Sequence, residues 1–259
     1  MMRRFPLACV AGVTLLFGCT TPEPRGSDQA IRWGAGPISN VIDYDALAAA
    51  HNDRISRLDR VWSRAAVRVN WRDREGKDQS EKGEGHFQWL SPGYALSIGK
   101  LGETLIWIGF DDERYWMLDR HESKEAYFGR LDQIDRVKAG ALGLPAMPRE
   151  MVVLMGLAPL PVGMADPPDV IASGDGTHLG FELSGKELWR YTFDAVSLDL
   201  VEVALVKVDG EDLVVSDLQD YSEVDLERGR GLDPRLATRF VLRHAPSGAE
   251  LVLDLNGKM

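Results

Sequence analysis

From residue 65 to 128, and again from 178 to 255, apolar and polar side chains alternate, and turn residues interrupt them about every 8–12 positions. Val67, Val69 and Trp71 fall on one face, with Arg68, Asn70 and Arg72 on the other; Phe87 and Trp89 oppose His86 and Gln88. Side chains in a strand point to opposite faces in turn, so this pattern demands antiparallel strands with one face buried. Strands are expected at Ala65–Asp73, Gly83–Leu90, Tyr94–Lys100, Thr104–Phe110, Arg114–Leu118 and Glu125–Phe128. A second series follows at Leu179–Leu183, Leu188–Phe193, Leu198–Val208, Leu213–Tyr221, Leu236–Arg243 and Glu250–Leu255. No period of 20–50 residues recurs, which argues against a propeller or solenoid.

Two stretches break the period. Asp43–Trp62 sets Leu47, Ala50, Ile55, Leu58, Val61 and Trp62 near 3–4 spacing, with Asp43 positioned to cap a helix start. Pro148–Gly156 opens on a proline suited to a first helical turn and is apolar after Arg149 and Glu150, until Gly156, Pro159 and Pro161 end it. Leu131–Leu157 otherwise reads as short helix or irregular chain, and Pro161–Pro168 as a loop. Helices inserted into one antiparallel series predict a single α+β domain over residues 41–259, with about eleven or twelve strands.

The amino terminus carries an address. Arg3 and Arg4 precede an apolar run from Phe5 to Phe17, too short for the roughly 20 residues of a membrane span. Leu16-Phe17-Gly18-Cys19 resembles the lipobox of bacterial lipoproteins. That resemblance implies a signal peptide over 1–18, lipid attachment at Cys19 and a tether over 19–40, rich in Thr, Pro, Gly and charge. Acyl chains contribute about 0.8 kcal/mol per buried methylene, and two or more anchor stably. Thr20 is not the Asp that retains such proteins in the inner membrane, so an outer-membrane anchor with the domain facing the periplasm is expected.

Charge and chemistry exclude more than they assign. Loss of Arg3 and Arg4 with the leader takes the formal charge from −10 to −12, against nucleic acid and against broad adhesion to anionic lipid. The two cysteines, Cys9 and Cys19, leave no disulfide once one is cleaved off and the other acylated. His51, His86, His121, His178 and His244 have no paired ligand spacing for zinc. There is no Gly-x-Ser-x-Gly elbow, and the acidic runs at Asp111–Glu113 and Asp217–Glu227 lack calcium-loop order. No cofactor or metal is expected, and no enzymatic chemistry, although a pair of glycosidase carboxylates is not identifiable from sequence.

Element order and short phrases resemble the LolA/LolB-like lipoprotein carriers, LolB in particular. Gly85-His86-Phe87-Gln88-Trp89 followed by Ser91-Pro92-Gly93-Tyr94-Ala95-Leu96 resembles the early hairpin, and Leu144–Pro161 a lid helix ending in Gly and Pro. The resemblance implies a half-open antiparallel β-barrel whose helices cover a concave face that holds acyl chains of lipids or lipoproteins. It places Val69, Trp71, Phe87, Trp89, Leu96, Ile98, Tyr191 and Phe193 on the wall and Met151, Val152 and Met155 on the lid. LolB delivers cargo with an exposed hydrophobic residue on a protruding loop; the tips here are mostly polar, and Leu101 is the one weak candidate.

Two non-enzymatic functions are therefore expected to compete. An acyl-chain carrier needs an apolar hollow beneath Met151–Met155. An envelope scaffold for a protein partner needs a filled core and an exposed apolar patch outside. An enzyme acting on glycan or lipid would instead show a polar cleft with perturbed titration.

Overall fold

In the computed structural model, residues 42–72, 75–120, 124–135, 146–225 and 234–256 are described. The expected leader, Cys19 and the tether lie outside them.

Among the described residues, alternation becomes one antiparallel sheet of thirteen strands. The first six are β1 (Arg60–Arg72), β2 (Asp78–Leu90), β3 (Gly93–Lys100), β4 (Glu103–Phe110), β5 (Arg114–Asp119) and β6 (Glu125–Arg130). After the helical interruption come β7 (Ile171–Ala172), β8 (His178–Ser184), β9 (Leu188–Asp194), β10 (Leu200–Val206), β11 (Asp212–Glu223), β12 (Arg235–His244) and β13 (Ala249–Asn256). Each half is a meander of sequential neighbours, and the halves join where β1 pairs with β13, from Arg64↔Asn256 to Asn70↔Glu250. The sheet does not close: β6 and β7 are its two ends. The count is thirteen rather than eleven or twelve; the strand beyond the twelve expected segments is β7, only two residues long and too short to show alternation.

Helix α1 (Tyr44–Ser56) starts as expected, with the Asp43 carboxylate accepting from the Ala46 N–H at 2.7 Å. It ends six residues earlier than expected. Val61 and Trp62 belong to β1, where burial alternates from Arg60 to Ala65 as the strand pairs with β2 up to Leu90. Thirteen register pairs with β2 outweigh a local helical period that only weakly favours helix. The buried stripe of α1 is Tyr44, Leu47, Ala48 and His51, so Ala50 and Ile55 are off it.

Helix α2 (Pro148–Leu154) has Pro148 in its first turn, and the Met147 N–H donates to the Glu150 carboxylate at 2.9 Å. Gly156, at φ +67°, lets the chain turn back so that the Leu157 N–H meets the Val152 carbonyl at 3.0 Å. A single 3-10 turn at Leu131–Gln133 follows β6. Among the described residues no helix is long and apolar enough to cross a membrane.

Candidate functional site

The face of the sheet on which the helices pack, here the inner face, divides into two regions. Over β8–β11 it is solid. Tyr44 meets Phe181 edge-on at 5.0 Å, and His51 meets Phe193 at 6.0 Å. Phe181 in turn stacks on Tyr191 and Phe193. The turn ending α2 rests on Leu200 and Leu218, where a Cβ at Gly156 would come within 2.8 Å of one and 3.0 Å of the other. Phe193 and Leu154 are 0 % exposed, so neighbours surround them completely.

A polar network ties α1 to this region. Asp199, itself buried, accepts from Arg54 at 2.8 Å and from Arg235 at 2.6 Å. Both guanidinium groups lie 5.6 Å from the centre of the Tyr221 ring, whose hydroxyl donates to the Leu200 carbonyl. His51 bridges Arg54 and the Ala158 carbonyl. Burial, with Arg54 beside it, pushes the His51 imidazole down to about 4, so it is neutral at pH 7. This network reads as a fastener for α1.

Over β3–β6 the inner face is different. Ile98 pairs with Ile106, Ile108 with Met117 and Met117 with Tyr127, while Tyr115 lies on the same face opposite Phe110; all six are only partly buried. Ile98, Ile108 and Tyr115 pack against the margin of the core. Here lies a broad apolar wall not fully covered by other side chains.

The expected site residues distribute unevenly over these regions. Phe87, Trp89 and Leu96 are buried in the core, with Trp89 Nε1 donating to the Leu58 carbonyl at 2.6 Å. Tyr191 and Phe193 lie beneath α1. Val152 and Met155 are buried, while Met151 is part-exposed. Val69 and Ile98 are part-exposed and pack on the core. Trp71 sits apart, at the far end of β1 in a cleft with Gln79, Ser247 and Gly248. Thus the helices cover the β8–β11 part of the inner face and not all of it. Sequence reading assigned no face to β4 and β5, and so missed Ile106, Ile108, Tyr115 and Met117, although their alternation was legible. Nothing local signals the Asp199 network, whose partners are 145 and 36 residues away.

The hairpin between β3 and β4 turns on Leu101 and Gly102, at φ +53° and +85°. Two successive positive values suit a tight hairpin turn that normally takes Asn-Gly or Gly-Gly. Leucine there is strained, and its side chain is 99 % exposed.

The opposite, outer face carries a groove of 1170 Å³ running over β1–β4 to the Leu101 tip, and neither it nor the Trp71 cleft touches α2. Among the described residues no three His, Cys, Asp or Glu side chains are grouped to hold a metal ion. Asp111, from the first acidic run, caps its own turn by accepting from the Glu113 and Arg114 N–H groups, which lowers its titration. Asp217, from the second, pairs with Arg243 at 2.7 Å.

Together these features define an open antiparallel sheet with helices on one side, a half-open, barrel-like α+β fold. Solved structures resemble the chain at low sequence identity. A DUF1329 family protein from Desulfovibrio piger superposes with a TM-score of 0.52 at 11% identity, covering 82% of this chain and 89% of that one. A LolA superfamily protein from Nitrosomonas europaea gives 0.47 at 13% identity, over 81% and 91% of the two chains. A domain described as an outer membrane lipoprotein-sorting protein, from Vibrio parahaemolyticus, gives 0.49 at 10% over 81% and 90%. At such identities the likeness speaks for the fold alone. The Desulfovibrio superposition shows that fold. No family model matches the chain. No curated protein matches it either.

Proposed function

We propose that this chain is a lipoprotein anchored through Cys19 that holds acyl chains of lipids or lipoproteins against its inner face and passes them on at the Leu101 tip. The observation that carries the reading is Leu101. A bulky residue in a left-handed turn costs roughly 1–2 kcal/mol relative to residues that adopt it freely. Its side chain makes no packing contact in return, since it is 99 % exposed. A hydrophobic tip of this kind serves a function outside the fold, such as entering an apolar phase. The wall for the cargo comprises Val69, Ile98, Ile108, Tyr115 and Met117, all partly buried on the inner face. Phe87, Trp89, Leu96, Tyr191 and Phe193 support it from the core, and Val152 and Met155 hold α2 in place. No covalent chemistry is involved. Thr20 favours the outer membrane as the site of the anchor.

The test uses the full chain and a fluorescent diacylated cysteine peptide. Wild type should take up the probe and release it to acceptor vesicles. Met117→Asp should abolish uptake, whereas Leu101→Asn should keep uptake, lose release and leave the fold at least as stable. Wild-type protein that takes up no probe would sink the reading.

The solid packing over β8–β11 favours a second reading, a scaffold for an envelope protein. It predicts no uptake of the probe and capture of a partner by the outer face.

A further inference from the structure

The outer face of β1–β6 is unlike the rest of this acidic chain. Two register rows cross it. In one, Trp116 lies between Gly109 and Phe128; in the other, Trp107 lies between Ser97 and Leu118. Gly109 is needed here, because a Cβ would fall 2.6 Å from the Trp116 ring. Trp107 is 46 % exposed and Phe128 81 %. Trp62, at 50 %, continues the apolar surface and stacks on His86 at 5.1 Å. Water thus faces a group of large aromatic side chains on one sheet surface beside the terminal strand β6, an arrangement that marks an interaction site.

Next to it, the groove over β1–β4 is lined by Arg64, Arg68 and Lys82. None of the three has an ion pair among the described residues. Arg68 stands directly opposite Lys82 in the β1–β2 register. Like charges so placed repel, and the buried Nε of Arg68 has no hydrogen-bond partner. Lys100 and Arg239 also line the groove, each paired to an acid. Glu84, Glu103 and Asp254 bring negative charge, so the lining is five cations against three anions on a chain of net charge −10. Composition argued against broad adhesion to anionic lipid; this local reversal of sign is what composition hides.

We infer that the outer face of β1–β6 seats on an anionic bilayer surface, with Trp107, Trp116 and Phe128 at the interface and Arg64, Arg68 and Lys82 on lipid phosphates. Aromatic rings favour the headgroup level of a bilayer, and basic residues near an anionic surface are attracted within a Debye length. The inference rests on the reading that Cys19 ties the chain to a membrane. Ile42 follows Cys19 by 23 residues, a span of at most about 80 Å, so the bilayer is always within reach. The Leu101 tip lies in the same groove, so seating this face would also bring the tip to the membrane.

The test uses the mature, lipidated chain in vesicles of phosphatidylcholine, with or without phosphatidylglycerol, containing nitroxide-labelled lipid. With Cys9 removed and Cys19 acylated, one introduced cysteine is the sole thiol. A fluorophore at Phe128→Cys should be quenched strongly in the anionic vesicles, and much less at Val208→Cys, which is fully exposed in the β10–β11 turn. Arg64→Glu with Lys82→Glu should bring the Phe128→Cys signal down to the Val208→Cys level, as should high salt. Equal quenching at the two positions overturns the inference. So does quenching indifferent to lipid charge, or fluorophore contact between copies, which would make the face a dimer interface. Failure of the anchor itself is read separately, as protein that does not sediment with either vesicle. The same quenching series on added protein then still decides the face.

Discussion

Asp199 is the residue on which the attachment of α1 turns. Its carboxylate faces two guanidinium groups, one of them, Arg54, with a side chain only 13% exposed. Removing one partner of a buried pair leaves an uncompensated charge, so Asp199→Ala should cost about 3–5 kcal/mol in urea denaturation. A double change to Asp199→Leu and Arg54→Met should recover much of that loss. His51 supplies a pH dependence of known sign. Its folded value, about 4, is below the unfolded 6.5, so the unfolded chain binds the proton more tightly. The stability tied to neutral His51 is complete above pH 6.5 and is lost as pH falls towards 4, a change of about 3 kcal/mol. Urea midpoints of wild type should therefore drop between pH 7 and 4 more steeply than those of His51→Gln, which cannot titrate there.

At the level of elements, the β3–β4 hairpin sets stability against use. Leu101→Asn creates Asn-Gly, the dipeptide that two positive φ values favour. The expected result is a thermal midpoint raised by a few degrees, equivalent to about 1 kcal/mol. If the midpoint falls instead, the leucine is packed rather than displayed. The boundary between α1 and β1 carries a related lesson. Leu58, Val61 and Trp62 keep the helical spacing of the preceding residues, yet Val61 points to the core and Trp62 to water in an extended strand. A helix gains its bonds from within its own segment, whereas a strand needs a partner. Here the partners, Trp89 for Val61 and Gln88 for Trp62, lie nearly thirty residues on in β2 and are invisible to any window around Trp62.

For the whole molecule the seam between β1 and β13 is decisive, because among the described residues the two meanders share no other neighbouring strands. Leu253 sits in it, buried, opposite Val67 on one side and Phe240 on the other. Leu253→Ala should cost about 2–5 kcal/mol with an unchanged urea m-value and a single transition. Two transitions would mean that the halves fold independently. The short β7 end gives a second chain little backbone to pair with. The six-residue β6 end, beside Trp116 and Phe128, is the more exposed of the two.

Local chemistry was enough to mark where most strands run, that Asp43 opens a helix and that Pro148 opens another. Alternation, caps and turn residues act over a few positions, and each can be read where it stands. The side-chain faces of β1–β3 were legible for the same reason. Only the tertiary structure decided which strands meet across the seam, where Asn70 finds Glu250 180 residues away. It also decided that Tyr191 and Phe193 are filled over by α1 while Ile98, Ile108 and Met117 stay part-open. The Arg54–Asp199–Arg235 network and the outer-face cations, unpaired among the described residues, are likewise products of assembly. Burial and electrostatic pairing depend on the sum of distant neighbours, and that sum exists only once the sheet has formed.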